Sequence, residues 1–422
     1  MHSLERNRSF CIVHSKLCMM LFSLCFLLFW TPCPSTAQKS KKSTVRQELS
    51  QARTYIKPRT KNYPQAEQIV TRLLKDSANR SNKQAYQIWL EAVKGQYDQA
   101  NERMYLKQKQ DTAAFFNLCQ RMFSVAETLD SLDQKPDKKG RIAPEYRHKY
   151  ATMLNTFRPN LFNGGTYFIR KGQWQQAFLF MHTYLDCARQ PLFTGYNYAS
   201  SDTRMPEAAY WATYSAYKQH DAEGTLRYHQ QALADTAHTS FTLQFISEAY
   251  NWNGDSLNYL KTLLQGFRQQ PQFPYFFPRI IDTYTSSHQY QKALDIADEA
   301  LQVCDTCQLF LFAKSSALLR MEQWDESIRY ARLVMAQNDS LPEPYFNAGM
   351  AYLNKAESQD ATNNRKLFNE YYQRARTYIE YYRLLMPREQ DKWAPPLYKI
   401  YLNLNLGKQF DEIDKLLKSR KP

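Results

Sequence analysis

The sequence predicts an all-α protein, a solenoid of antiparallel helix pairs, on three observations. A pattern repeats with a period of 34: Tyr290 in "SSHQYQKALDIADEAL" and Trp324 in "RMEQWDESIRYARLVM" are 324 − 290 = 34 residues apart. Each of these aromatics opens the second helix of its unit and is followed three residues later by a small residue, Ala293 and Ser327, which lets two helices approach closely. Only 11 of the 422 residues are glycine, while Gln, Lys, Tyr, Leu and Ala dominate, a composition suited to helices with a tyrosine-rich core. A short helix pair has an apolar face that it cannot bury alone, so successive pairs stack and the chain grows by adding units.

The same phase continues in both directions. Downstream, "PEPYFNAGMAY" carries Tyr345, Gly349, Ala351 and Tyr352, and the next helix carries Tyr372, Ala375 and Pro387. Here the aromatic spacing is 372 − 324 = 48, which places 14 extra residues around 354–367. Upstream, Tyr250 lies in "SEAYNWNGDSLNYLKTLLQGFRQQP", which ends in Pro271. Near the start of the chain Tyr63 and Tyr97 are again 97 − 63 = 34 apart, followed by Ala66 and Ala100, and Trp174 is followed by Ala177. Together these residues resemble the tetratricopeptide repeat (TPR), over most of the mature chain. The resemblance implies a right-handed superhelix in which the first helix of each unit lines a concave groove, and a role in binding protein or peptide partners.

Residues 1–37 read as a secretory signal peptide. Arg6, Arg8 and Lys16 precede an apolar run from Leu17 to Trp30, and Ser35-Thr36-Ala37 offers small residues for cleavage before Gln38. The uninterrupted apolar run is shorter than the ~20 residues that span a bilayer. Neither Cys25 nor Cys33 follows a good lipobox, and no second long apolar segment exists. The expectation is an exported protein, periplasmic or envelope-associated, with no transmembrane segment after cleavage.

Residues 38–132 read as an N-terminal helical region, with two units over 47–109 and one amphipathic helix over 112–132. Residues 133–144, rich in Pro, Lys and Gly, read as a linker. The main solenoid is expected over 145–393. It begins with a helix over 145–156 and a unit over 160–189. A long connector over 190–206 follows, with Phe193, Tyr196 and Tyr198 packed beneath it, and units then run nearly continuously to Pro387. A capping helix pair and a basic tail close the chain over 394–422, with Phe410 opening the second helix of the pair.

The formal charge is +15, and without residues 1–37 it is 52 − 39 = +13. The excess is spread over residues 38–46, 133–141 and the C-terminus, which suits solvated tails; attraction to anionic envelope polymers, lipid headgroups or an acidic partner is the alternative. With no recognisable binding module in an exported chain, nucleic acid is not an expected partner.

Cys119, Cys187, Cys304 and Cys307 remain after the signal. The CxxC of Cys304 and Cys307 lies between two repeat helices, with no βαβ context and no second ligand pair. It reads as a local disulfide in an oxidising compartment, with inert thiols the alternative. His220, His229 and His238 are nine residues apart, about 900° of helical rotation, so neighbours point to opposite faces. There is no HExxH, GxSxG or Walker loop. No metal, cofactor or catalytic residue is therefore expected, and the chain reads as a non-enzymatic scaffold. The alternative is a factor that binds or processes peptidoglycan or polysaccharide on the same superhelix.

Carried over by phase, the groove positions of the TPR fall on Phe241, Trp252, Tyr275, Phe312, Leu319, Phe346, Met350 and Leu353, among polar Gln244, Glu248, Asp282 and Arg320. This is apolar for a water-facing groove. Either it marks a contact surface, or neighbouring units and the 354–367 insertion cover it. The fifth positions, Gln244, Pro278, Phe312 and Phe346, lack the lysine clamp with which some relatives hold a peptide C-terminus. Finally, Asp followed by Ser or Thr and an apolar residue marks Ser77, Thr112, Ser131, Thr236, Ser256 and Ser340. This pattern resembles a bacterial O-glycosylation sequon; helix capping and turns are the alternative origin.

Overall fold

The computed structural model describes residues 44–136, 140, 142–359 and 364–419. The signal peptide expected over 1–37 lies outside the described residues. The chain divides into two compact units, Met1–Glu48 and Leu49–Pro422, and the second holds the helical repeats. The described residues contain helices and no β-strand.

The helices are α1 (Val45–Tyr55), α2 (Tyr63–Leu74), α3 (Lys83–Tyr105), α4 (Thr112–Asp133), α5 (Arg147–Arg170), α6 (Trp174–Asp186), α7 (Tyr198–Ser201), α8 (Met205–Tyr217), α9 (Ala222–Arg227) and α10 (His229–Ala232). They continue as α11 (Thr239–Trp252), α12 (Ser256–Gln269), α13 (Phe276–Ser286), α14 (Tyr290–Val303), α15 (Gln308–Arg320), α16 (Trp324–Gln337), α17 (Pro342–Glu357), α18 (Arg365–Leu385), α19 (Gln390–Asn403) and α20 (Gly407–Lys418). Most pack mainly on their sequence neighbours, while α8 reaches back to α6 and α10 to α8 across short intervening helices, as expected of a solenoid.

One turn recurs between the two helices of a unit. Lys61, Gly172, His220, Gly254, His288, Glu322 and Asn405 all have positive φ, and each lies two residues before the first residue of the next helix. Four of them are spaced at the repeat period: 254 − 220, 288 − 254 and 322 − 288 are each 34. The bonds are those of a Schellman ending, in which the residue after the left-handed one donates back to the helix. Gln289 N–H donates to Tyr284 O at 2.8 Å, and Gln323 N–H to Leu318 O at 3.0 Å. The aromatic therefore opens the second helix because the chain reverses immediately before it.

The small residues three positions on are all fully buried: Ala66, Ala177, Ala293, Ser327 and Ala375. Gly349 is the counterpart on a first helix, where an added Cβ would collide with the Ile379 side chain. Three local expectations are corrected. Tyr97 opens no helix but lies inside α3, because Gly95 serves packing rather than a turn: a Cβ there would strike the Tyr63 ring. Helices expected to separate near residues 157–159 are one, α5, which runs through Pro159. Buried Leu154, Leu161 and Phe162 flank the proline and offset the ~3 kcal/mol that it costs a helix interior. The extra residues placed around 354–367 mostly lengthen α17 and α18, to 16 and 21 residues.

Residues 133–144 join α4 to α5. Their ends are tied down: Arg147 makes a two-pronged pair with Asp130 at 2.8 and 2.9 Å, Lys83 pairs with Asp133 at 2.8 Å, and Tyr146 N–H donates to Asp133. The 190–206 connector is ordered by aromatic packing, with Phe193 and Tyr198 buried and Tyr196 half-buried beneath it. Its anchor is Arg158, whose guanidinium lies between the rings of Tyr184 and Tyr198, 3.7 and 3.9 Å from their centroids, and pairs with Asp202.

Candidate partner-binding cleft

Adjacent first helices α13 and α15, with the α13–α14 turn, enclose an open cleft of about 510 Å³, within the usual range for ligand pockets. Its apolar wall comes from Pro278 and Ile281 on α13 and from Leu309 and Phe312 on α15. These are i, i+3 pairs, so each set stands on one helical face. Phe312 is half-buried and Leu309 exposed. Asp282 and Arg320 border the same space, both exposed. The cleft thus sets apolar side chains beside one exposed anionic and one exposed cationic group.

The groove residues read from the sequence separate into three groups. Phe312 lines this cleft. Phe241, Trp252, Leu319, Phe346 and Met350 keep some exposure but pack on neighbours: Phe241 on Phe273, Trp252 stacked on Tyr217 at 5.6 Å, Phe346 on Tyr382, and Leu319 and Met350 against the C-terminal core. Tyr275 and Leu353 are corrected, because both are buried. The Tyr275 hydroxyl sits between Ser247 at 3.0 Å and Glu248 at 2.8 Å, and the Arg279 guanidinium covers its ring. Leu353 belongs to the core that α17, α18 and α19 share. Ile281 and Leu309 were missed, although each stands three residues from a named groove position, Pro278 or Phe312.

Cys304 and Cys307 are free thiols in the structure, where a disulfide was expected. Both are half-buried against the core around α12–α15, with Cys307 at the cap position of α15; they act there as small apolar residues. Burial pushes the Cys119 thiol up to about 12. Among the described residues no group of three or more His, Cys, Asp or Glu converges as metal ligands.

The aspartates of the Asp-Ser/Thr pattern largely have structural partners. Asp76, Asp111 and Asp255 are helix caps that accept backbone N–H bonds, and Asp235 does the same in a turn. Asp130 is buried and paired with Arg147. Ser77, Ser131, Thr236, Ser256 and Ser340 are exposed and Thr112 is half-buried.

The helix pairs, their 34-residue phase and the small-residue crossings make the chain a TPR-like α-solenoid. No family model and no curated protein matches it. Among solved structures it is similar to the C-terminal part of a TPR repeat-containing protein from Cytophaga hutchinsonii, at 10% identity and a TM-score of 0.41 over 60% of this chain and 93% of that one. It is also similar to the TPR domain of P58(IPK), at 13% identity and a TM-score of 0.26 over 90% of this chain and 100% of that one. A third is a monomeric mutant of IFIT1 with Gppp-AAAA, at 13% identity and a TM-score of 0.35 over 88% of this chain and 79% of that one. Among the described residues no helix is long and apolar enough to cross a membrane.

Proposed function

We propose that the protein is an exported, non-enzymatic scaffold that holds a partner polypeptide in the cleft between α13 and α15. The observation that carries this reading is the apolar wall of Pro278, Ile281, Leu309 and Phe312 left open beside Asp282 and Arg320 in a fold class that builds interaction scaffolds. Export is supported by the pattern of basic residues, apolar run and small cleavage-site residues over 1–37. A few side chains should carry most of the binding energy, aromatics first.

The test has two parts. Intact-mass analysis of the protein from the native envelope should show a chain starting at Gln38; a chain retaining residues 1–37 overturns export. A partner captured by crosslinking in that envelope should bind the Phe312→Ala variant about ten-fold or more weakly, equivalent to ~1–2 kcal/mol, with unchanged circular dichroism. Unchanged affinity in a folded variant overturns the cleft as the binding site.

A further inference from the structure

Helices α16, α17 and α18 bring two guanidinium groups onto one phenol. Arg332 of α16 donates through Nη2 to the Tyr352 hydroxyl at 2.9 Å and through Nε to the Tyr378 hydroxyl at 3.2 Å. Arg374 of α18 donates through Nη1 to the same Tyr352 oxygen at 3.3 Å. The rings of Tyr352 and Tyr378 stack at 5.8 Å with 11° between their planes, which holds both hydroxyls in place. Both arginines are exposed.

The charges around this cluster do not cancel. Arg374 has a carboxylate partner, Glu370, at 2.8 Å, and nearby Lys355 is matched by Asp325 while lying over the Tyr371 ring. Arg332 has only neutral phenol oxygens as partners among the described residues. One positive charge is left over, on a guanidinium already oriented by two tyrosines and crowded by a second guanidinium. Two like charges sharing a neutral acceptor repel, and an anion between them removes that repulsion. Guanidinium is the group that takes a planar carboxylate through two parallel N–H bonds. A single negative charge balances the cluster.

We propose that Arg332 and Arg374 form a carboxylate-binding site, held in shape by Tyr352 and Tyr378, that takes an acidic side chain of a partner polypeptide. The site is built on α16–α18 and shares no residue with the α13–α15 cleft, so it gives the solenoid a second, charge-selective contact. Lysine cannot replace Arg332 here, because an ammonium keeps the charge and loses the fork.

The test is calorimetric titration of the full chain at moderate salt with a short glutamate-rich peptide carrying blocked ends, against the same peptide with glutamine. Saturable binding is expected for the glutamate peptide alone. Arg332→Gln, Arg374→Gln and Arg332→Lys should each weaken it at least ten-fold at an unchanged melting temperature, while Phe312→Ala leaves it unchanged. Equal binding by wild type and Arg332→Gln overturns the site and assigns the binding to the diffuse positive charge of the chain. Loss of binding in Arg332→Gln with full retention in Arg332→Lys overturns the two-pronged carboxylate geometry. Tighter binding of inorganic phosphate than of the glutamate peptide overturns the ligand class.

Discussion

Ser315 and Ser327 exchange two hydrogen bonds across the α15–α16 crossing. Ser315 Oγ donates to the Ser327 carbonyl at 3.0 Å, and Ser327 Oγ donates to the Ser315 carbonyl at 2.9 Å, with both residues fully buried. Asn347 on α17 extends the arrangement, donating to the hydroxyls of Ser315 and Ser316 at 3.3 and 2.9 Å. Where the second helices of other units place Ala293 or Ala375, this one places Ser327, and both hydroxyls of the serine pair are satisfied. The crossing is thus set by hydrogen bonds as well as by size, and the pattern continues from one unit into the next.

Substitutions at Ser327 separate those two contributions. Ser327→Ala keeps the volume and removes one donor, and should cost about 1 kcal/mol. Ser327→Leu adds two heavy atoms to a closed crossing and should cost ~1–3 kcal/mol or more, as should Ala293→Leu one unit earlier. Urea unfolding midpoints measure both. A leucine variant as stable as the wild type would show that the helices do not cross at these residues.

The recurring left-handed turn predicts a stabilising change. Glu322 is exposed and held at φ 61, a conformation that costs a residue with a Cβ about 1–2 kcal/mol. Glycine adopts it freely but loses more chain entropy on folding. Glu322→Gly should therefore gain on the order of 0.5–1 kcal/mol. Thermal unfolding checks the sign, and a lowered melting temperature contradicts the strain argument.

The aromatic and the small residue three positions on made the repeat phase legible, because that pair is chemically constrained: the small residue is where two backbones meet. The turn was not legible, since His220, His288 and Glu322 occupy a conformation that usually marks itself with glycine. The ends of α3 and α5 were misread for the opposite reason, Gly95 and Pro159 being breakers by type that packing overrides. Within the cleft, the family phase found Phe312 but also named Tyr275 and Leu353. Position within a unit does not report how the neighbouring helices pack, and here Leu353 joins the core that α17, α18 and α19 share.

Arg158 should be among the most costly residues to replace. It is buried, paired with Asp202, and donates through Nη2 to the Tyr184 carbonyl at 3.1 Å, while Tyr184 donates its hydroxyl to Asp202 at 2.6 Å. Arg158→Met leaves a largely buried carboxylate without its cation, and should cost ~3–5 kcal/mol and loosen the 190–206 connector. Burial alone would raise the Asp202 carboxyl, but the bonds from Tyr184, Arg158 and the Arg204 N–H outweigh it and hold the group below its ordinary value. A lowered folded-state value contributes stability above about pH 4, lost as pH falls through the folded value. The stability gap between wild type and Asp202→Asn should accordingly shrink in acid; a gap constant down to pH 2 would contradict the assignment.

Glu127 on α4 should act in the reverse sense. Its Oε1 is buried with no hydrogen-bond partner among the described residues. Burial first, and the charge of Asp186 second, push its carboxyl up to about 8, against about 4.3 in an unfolded chain. Between those values the folded protein binds a proton that the unfolded chain has released, so stability falls as pH rises through the window and levels off above it. Glutamine has no proton to lose, so Glu127→Gln should lack this slope. Whatever offset the amide introduces at pH 5, the variant should gain on the wild type steadily toward pH 8.5, by a few kcal/mol at one pKa unit per ~1.4 kcal/mol. Urea unfolding across that range decides it, because parallel stability profiles for the two proteins would mean that Glu127 ionises in the folded state as it does in water.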